Sequence, residues 1–516
     1  MTKKEMPVGC ACCPVSRRQF LAAGCACAGA LGVLPLTQRA LAAAATGKKR
    51  IRVVYSLHAA TQPGPDWPNV GFEFTPVMDR ITGALAQAFP GFEFTPAMAT
   101  GEDDAKKILH DDKKNGPDGY IVYQMNCWNR VVQTIATSGK PVLYADFQYG
   151  GSGGFLVYTA DFLRKKTPNL GFVASSNMDD LMAAVKCFET AKADEFAAAT
   201  AKVRRERHVK AGTDPCTADP LAVASTAECM ERMKASKILA VLDQNGGAKE
   251  PYMGIPVEMV PFSEVNDAWG KADRDESRAV AERWQKSAAL VEGVSMETLE
   301  TSAAMYLGMK QVLTAHGANA ITVNCLGGFY GKHIHAYPCL GFHELCNEGL
   351  IGACECDIRS TATMVTLTAM TGGRPGYISD PVIDTSKGQI IYAHCVASNR
   401  PFGPSGPTNP FQILTHSEDR QGASVRSILP VGHMTTTIEL GPDRKEILFH
   451  QGRAVANDPD DRACRTKLAV EPKGDIEKLF TMWDAYGWHR VTAYGDLREA
   501  VFALADAHGY KVVEEA

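Results

Sequence analysis

An α/β architecture, two Rossmann-like parallel-sheet domains followed by a mixed β-rich α+β C-terminal domain, is predicted by three features of this 516-residue chain. From Lys48 to about Cys356, short β-branched runs alternate with amphipathic helical stretches, the pattern of a parallel sheet covered on both faces. After Asp357 the texture changes to closely spaced β-rich runs with many Gly and Pro. The length is also too great for one hydrophobic core and calls for two or three domains. The expected boundaries are 46–175, 176–356 and 357–516, preceded by a leader over 1–45.

The leader is read from its parts. Lys3 and Lys4 precede the run Ser16-Arg17-Arg18-Gln19-Phe20-Leu21, a modestly apolar stretch reaches Leu36, and small residues follow at Ala40-Leu41-Ala42-Ala43. Paired arginines before a weakly apolar core address the twin-arginine export route, and the apolar stretch is shorter than the ~20 residues a membrane span needs. The expected location is therefore periplasmic, after passage through the twin-arginine translocase, with membrane tethering if the leader is retained.

In the first domain, Arg50 to Leu57, Phe92 to Met98, Gly119 to Gln124 and Lys140 to Ala145 read as strands. The helix opening at Thr75-Pro76 carries Val77, Ile81 and Leu85 on one face, with Thr75 as its expected cap. Further helices are expected near Asp104 to His110 and Trp128 to Thr137, and Gly150 to Gly154 after a strand reads as the lining of a ligand cleft or, more commonly, as a flexible turn. A long charged helix is expected from Met178 to about Arg207, then a loop over Ala211 to Ala227. Strands at Ile238 to Leu242, Val257 to Pro261 and Ala320 to Asn324 alternate with helices at Asp267 to Leu290 and Met296 to His316. In the last part a helix over Ile358 to Met370 precedes strands at Gln389 to Cys395, His433 to Leu440 and Glu446 to Phe449. Helices at Ile476 to Tyr486 and Leu497 to His508 then lead to a closing strand at Tyr510 to Val513.

Composition excludes some function classes. The 54 basic residues face 58 acidic ones; the leader takes five and one of these, leaving 49 against 57 and a balance of about -8. No nucleic-acid partner is expected, since phosphate binding rests on clustered positive charge. Five of the 16 cysteines lie in the leader, and the remaining 11 have no regular spacing, so they read mostly as buried thiols with few bridges.

Chemistry concentrates in Cys354-Glu355-Cys356-Asp357, Ile378-Ser379-Asp380-Pro381 and Tyr392-Ala393-His394-Cys395. Glu355 falls at a predicted strand end before a helix capped by Asp357, where open α/β sheets present ligands. Asp380 is held extended by the proline after it, and His394 lies on the next strand. A Glu, an Asp and a His at strand ends can converge on one hard divalent cation such as Mn²⁺ or Mg²⁺. A turn Asp-Pro, a core histidine and a capping glutamate are equally ordinary uses of these residues, and the residues alone leave both readings open. A zinc site from Cys354, Cys356, Cys395 and His394 lacks the usual two-residue gap, and His333 and His335 read as exposed loop histidines.

These segments resemble the fucose/arabinose isomerase superfamily. The resemblance rests on Pro338-Cys339-Leu340, Asn347-Glu348-Gly349, Ala353-Cys354-Glu355-Cys356-Asp357-Ile358, Thr371-Gly372-Gly373-Arg374-Pro375, Ser379-Asp380, Ala393-His394-Cys395 and the late Gly487-Trp488-His489-Arg490. It is concentrated over residues 318 to 400 and at the end of the chain, and Asp in place of Glu at 380 leans toward the fucose branch. It implies a metal-dependent aldose-ketose isomerase acting through an enediol, with Glu355 and Asp380 as catalytic carboxylates. Mn²⁺, or another divalent cation, would be held by Glu355, Asp380, His489 and His394, and the protein would be a homo-oligomer acting on a small sugar. The alternatives are an exported carbohydrate-binding protein without turnover, or an epimerase or lyase using the same enediol chemistry.

Overall fold

The structure is a computed structural model that describes residues 47–114, 116–242 and 246–516. The leader expected over residues 1–45 lies outside the described residues. The chain is α/β, with two five-stranded sheets, a closed antiparallel barrel and a small three-stranded sheet.

The first sheet contains β1 (Lys49–Ser56), β2 (Phe92–Ala99), β3 (Gly119–Gln124), β4 (Val142–Asp146) and β5 (Leu170–Val173) in the order β2-β1-β3-β4-β5. All its pairings are parallel. β3 and β4 are buried at every position, as expected of strands covered on both faces. The second sheet contains β6 (Ile238–Leu242), β7 (Gly247–Tyr252) and β8 (Ile255–Pro261). After β9 (Leu290–Glu292) leaves it, β10 (Ala320–Val323) and β11 (Ile351–Cys354) complete the order β11-β10-β6-β8-β7. Only β7 runs antiparallel, as a hairpin on β8.

The C-terminal part begins with the helix Ile358–Thr371, then β12 (Tyr377–Asp384) and β13 (Gln389–His394). β14 (Phe411–Leu414) and β15 (Ser424–Ser427) pair with each other and with β9 in the small sheet. β16 (Met434–Gly441), β17 (Glu446–Asn457), β18 (Thr466–Pro472) and β19 (Arg490–Tyr494) join β12 and β13 in the cyclic order β16-β19-β12-β13-β18-β17, which closes because β17 pairs back onto β16. β20 (Lys511–Glu514) adds to β17 in parallel. Closure leaves the barrel no free edges around its circumference.

Several expected elements differ. The helix at residue 75 starts from Phe74, and no side chain caps it; Phe74 is fully buried and draws the chain into the helix one residue early. The expected helix from 178 to 207 breaks into Met178–Val185, Cys187–Thr190 and Phe196–Arg207. In one straight helix Phe188 and Phe196 would be ~12 Å apart along the axis, but the break stacks their rings at 4.7 Å in the core. Asp267 to Leu290 is two helices, Phe262–Gly270 and Arg274–Ser287, the second capped by Asp273 accepting from the Glu276 amide at 2.8 Å. Ile476 to Tyr486 reduces to two single turns.

Gly150 to Gly154 is not a flexible turn. It enters the helix Ser152–Arg164, and a Cβ on Gly151 would sit 2.0 Å from the Gln124 carbonyl oxygen. The glycines let this helix approach β3 closely. All eleven cysteines among the described residues are free thiols, nine of them buried. No helix among the described residues is long and apolar enough to cross a membrane.

Candidate metal centre and sugar cavity

The barrel mouth and the carboxyl edge of the second sheet meet at one site. Asp380 lies on β12, opposite Ala393 of β13, and the next residue of β13 is His394. On the other side of β12, Ser379 pairs with Arg490, the first residue of β19, so His489 enters beside Asp380. Three residues distant in the chain thus become neighbours through strand register. Their ligand atoms lie within 4.8 Å of one another, and the residues are only 4%, 3% and 4% exposed.

Within this group the His489 Nε2 is 3.1 Å from Asp380 Oδ1, and the His394 Nδ1 is 3.4 Å from Asp380 Oδ2. Asp380 Oδ1, His394 Nδ1 and His489 Nε2 are buried without a hydrogen-bond partner. Buried polar atoms in native proteins are nearly always partnered, so one carboxylate oxygen and two imidazole nitrogens that face one another at ion-pair distances without aligned hydrogen bonds fit a bound cation. That donor set suits a divalent transition metal.

Glu355 approaches from the sheet. β11 ends at Cys354, and Glu355 and Cys356 both take left-handed backbone conformations, φ 65° and 53°. Each costs about 1–2 kcal/mol for a residue other than glycine, a strain typical of functional sites. The turn throws the Glu355 side chain off the strand end, and its Oε2 lies 3.4 Å from His489 Nε2. Glu355 is therefore beside the three-residue group and outside it.

Asp357 does more than the capping role expected of it. It caps the helix Ile358–Thr371 by accepting from the Ser360 amide at 3.0 Å, and its Oδ2 accepts from His489 Nδ1 at 2.8 Å. Burial works against its charged form, yet the His489 and Ser360 hydrogen bonds hold the Asp357 carboxyl down at about 2. It is thus an ionised acceptor at neutral pH, which places the proton on Nδ1 and leaves Nε2 facing Asp380. This is the carboxylate-histidine arrangement that orients metal ligands. Burial lowers the His489 pKa, but Glu355, Asp357 and Asp380 outweigh it and raise the imidazole well above its ordinary range. The same carboxylates make the Nε2 position favourable for any positive charge, a proton or a metal ion.

Asp380, Glu355 and His489 open onto a cavity of about 610 Å³, a volume suited to a small ligand. Its lining also includes Trp67, Trp128, Trp488, Tyr330, Asp66 and Glu418. The Trp128 and Trp488 rings meet edge to face at 6.1 Å. Glu418 is pushed up to about 8 by burial, so it carries a proton at neutral pH. The sequence offered a signal only for Trp488, as the neighbour of His489; Trp128 reads only as a helix start, and nothing local marks Asp66, Trp67, Tyr330 or Glu418. His333 and His335 are exposed and stack on Phe262 and Trp269, away from the three-residue group. No cysteine belongs to that group.

No family model matches the chain. It is similar to the sulfoquinovose isomerase of Priestia megaterium, 24% identical over 212 residues, which is 40% of this chain and 46% of that protein. The sulfoquinovose isomerase of Alkalicoccus urumqiensis is 20% identical over 221 residues, 42% and 49% of the two chains. The chain thus spans about half the length of the curated relatives it matches. Among solved structures, a radical S-adenosylmethionine methyltransferase from Kitasatospora setae aligns over 60% of this chain and 67% of that one at 12% identity, with a TM-score of 0.19 that carries no argument. The chain's likeness to proteins named sulfoquinovose isomerase is therefore partial, at 20–24% identity.

Proposed function

We propose that this chain is a metal-dependent aldose-ketose sugar isomerase. The observation that carries the reading is the convergence of Asp380, His394 and His489, each with a buried unpartnered ligand atom, at the wall of a sugar-sized cavity. The relatives' name supports the reaction class.

Asp380, His394 and His489 would hold a divalent cation, Mn²⁺ being the ion that the family resemblance implies, with His489 held in the Nδ1-H tautomer by Asp357. Such an ion, when bound, acts as a Lewis acid toward a carbonyl and its neighbouring hydroxyl, which makes the C-H between them more acidic. Glu355 is the carboxylate best placed to move that proton, because it faces the cavity and stands outside the three-residue group, 3.4 Å from His489 Nε2. It takes the proton from the hydroxyl-bearing carbon and returns it to the former carbonyl carbon, while the hydroxyl proton passes to the former carbonyl oxygen by way of the enediol, so hydroxyl and carbonyl exchange places with no net oxidation. Asp380, more deeply buried, would serve as a ligand of the cation rather than as the base. Trp128 and Trp488 cover the ring and restrict water.

Loading the ion in the cytoplasm before twin-arginine export would avoid competition from copper and zinc outside. The test is to incubate the Mn²⁺-loaded full-length protein with a panel of aldoses in deuterated water and follow label at the carbon next to the carbonyl. Exchange that disappears in Glu355→Gln and after chelation supports the proposal. Sugar binding with no exchange anywhere in the panel would make it a binding protein.

A further inference from the structure

The charge lining the cavity says which sugars it accepts. Five carboxyl side chains face it, Asp66, Glu355, Asp357, Asp380 and Glu418, and no lysine or arginine among the described residues lines it. Even with a divalent cation on the three ligands, carboxyl groups outnumber every other charge-bearing side chain around the cavity. Sulfonate, phosphate and carboxylate groups lose their hydration on entering such a site and need an arginine, a lysine or a set of aimed amides in return. Here they meet like charge.

The remaining wall is suited to an uncharged ring. Trp128 is 53% exposed although it is a large apolar residue, and it stands at φ 65°, a rare backbone conformation for a bulky side chain. It is held there against Trp488, so two indoles present apolar surface to the cavity. Asp66, also in the lining, is oriented by His58 Nε2 at 2.8 Å and offers its carboxylate as an acceptor for hydroxyls. Glu418, protonated at neutral pH and 3.3 Å from the Tyr330 hydroxyl, can both donate and accept.

We propose that this cavity takes a sugar carrying no anionic substituent, its C-H face on Trp128 and Trp488 and its hydroxyls on Asp66 and Glu418, and turns away sulfonated, phosphorylated and carboxylated sugars. This rests on the isomerase reading for the place of the site, and it separates this chain from the sulfonated sugar in its relatives' name. Like-charge juxtaposition in a desolvated site is worth a discrimination on the order of 100-fold.

The experiment compares matched pairs on the Mn²⁺-loaded full-length protein, quinovose against sulfoquinovose and glucose against glucose 6-phosphate and glucuronate. Affinity is read from indole fluorescence and turnover from deuterium label. Neutral members binding on the order of 100-fold more tightly, with Glu418→Lys narrowing the gap, support the proposal. Equal or tighter binding of the anionic members, no binding of any neutral sugar, or a gap unmoved by Glu418→Lys overturns it. The two proposals fail separately: a neutral preference without label exchange defeats only the isomerase, and exchange confined to anionic sugars defeats only the charge rule.

Discussion

Replacing Asp357 with Asn tests whether the carboxylate beside His489 sets up the metal centre. The substitution keeps the shape and an oxygen for the Ser360 amide, 3.0 Å away in the parent, and Asn caps helices about as well as Asp. What changes is Oδ2, which accepts from His489 Nδ1 at 2.8 Å and from Ser360 Oγ at 2.7 Å. With an amide nitrogen there, two donors face each other. The least costly escape moves the imidazole proton to Nε2, where it points at Asp380 Oδ1 and blocks coordination. Loss of such an orienting partner weakens metal binding by roughly 10–100-fold, about 1.4–2.7 kcal/mol. At a metal concentration 100 times the parent Kd, stabilisation by binding would fall from ~2.7 to ~0.4 kcal/mol for a 100-fold loss. Competition with a chromogenic chelator measures the affinity directly. Asp357→Ala, which also removes the cap, should be at least as weak and additionally less stable by about 1 kcal/mol. Parent-like Mn²⁺ affinity in Asp357→Asn would refute the reasoning.

Other perturbations reach the barrel and the first sheet. Burial raises the Glu439 carboxyl to about 8, so the folded state binds more protons than the unfolded one and stability should fall as pH rises from about 4.5 to 8 and level off above. Glu439→Gln should flatten that descent and stabilise the protein at pH 8.5 by roughly 2–4 kcal/mol, read by denaturant titration at several pH values. Asp146, also raised to about 8 by burial, leaves a residual slope. Arg490 and Glu515 are a fully buried pair joined at 2.8 Å, with Arg490 stacked 3.8 Å over Trp483. Glu515→Ala strands the guanidinium beside His489 and should cost about 3–5 kcal/mol in unfolding experiments. Gly151→Ala places a methyl 2.0 Å from the Gln124 carbonyl oxygen, and should destabilise the first sheet by roughly 1–3 kcal/mol on thermal unfolding.

Much of the fold was legible because it is written locally. β3 and β6 fall where the β-branched runs place them, and the helix at Ile358 starts from the Asp357 cap as read. The misreadings come where distant partners overrule local pattern. Phe188 and Phe196 gain more from stacking in the core than a continuous helix would return, and the glycines at 150 to 154 answer to Gln124 rather than to a turn. Closure of the barrel depends on β17 meeting β16 edge to edge, which no period-2 pattern encodes.

The amino-acid sequence by itself determined the α/β alternation, the change to a β-rich C-terminal part, and the residue types at 355, 380, 394 and 489, because propensity, capping and donor chemistry belong to single residues and their neighbours. Only the tertiary structure decided that 380, 394 and 489 form the tight group while 355 stands beside it, that Asp357 grips His489 132 positions away, and that the cavity facing them has no lysine or arginine among its described walls. These are matters of strand register and of loops meeting across a cavity, set by which surfaces pack together and invisible to any window of sequence.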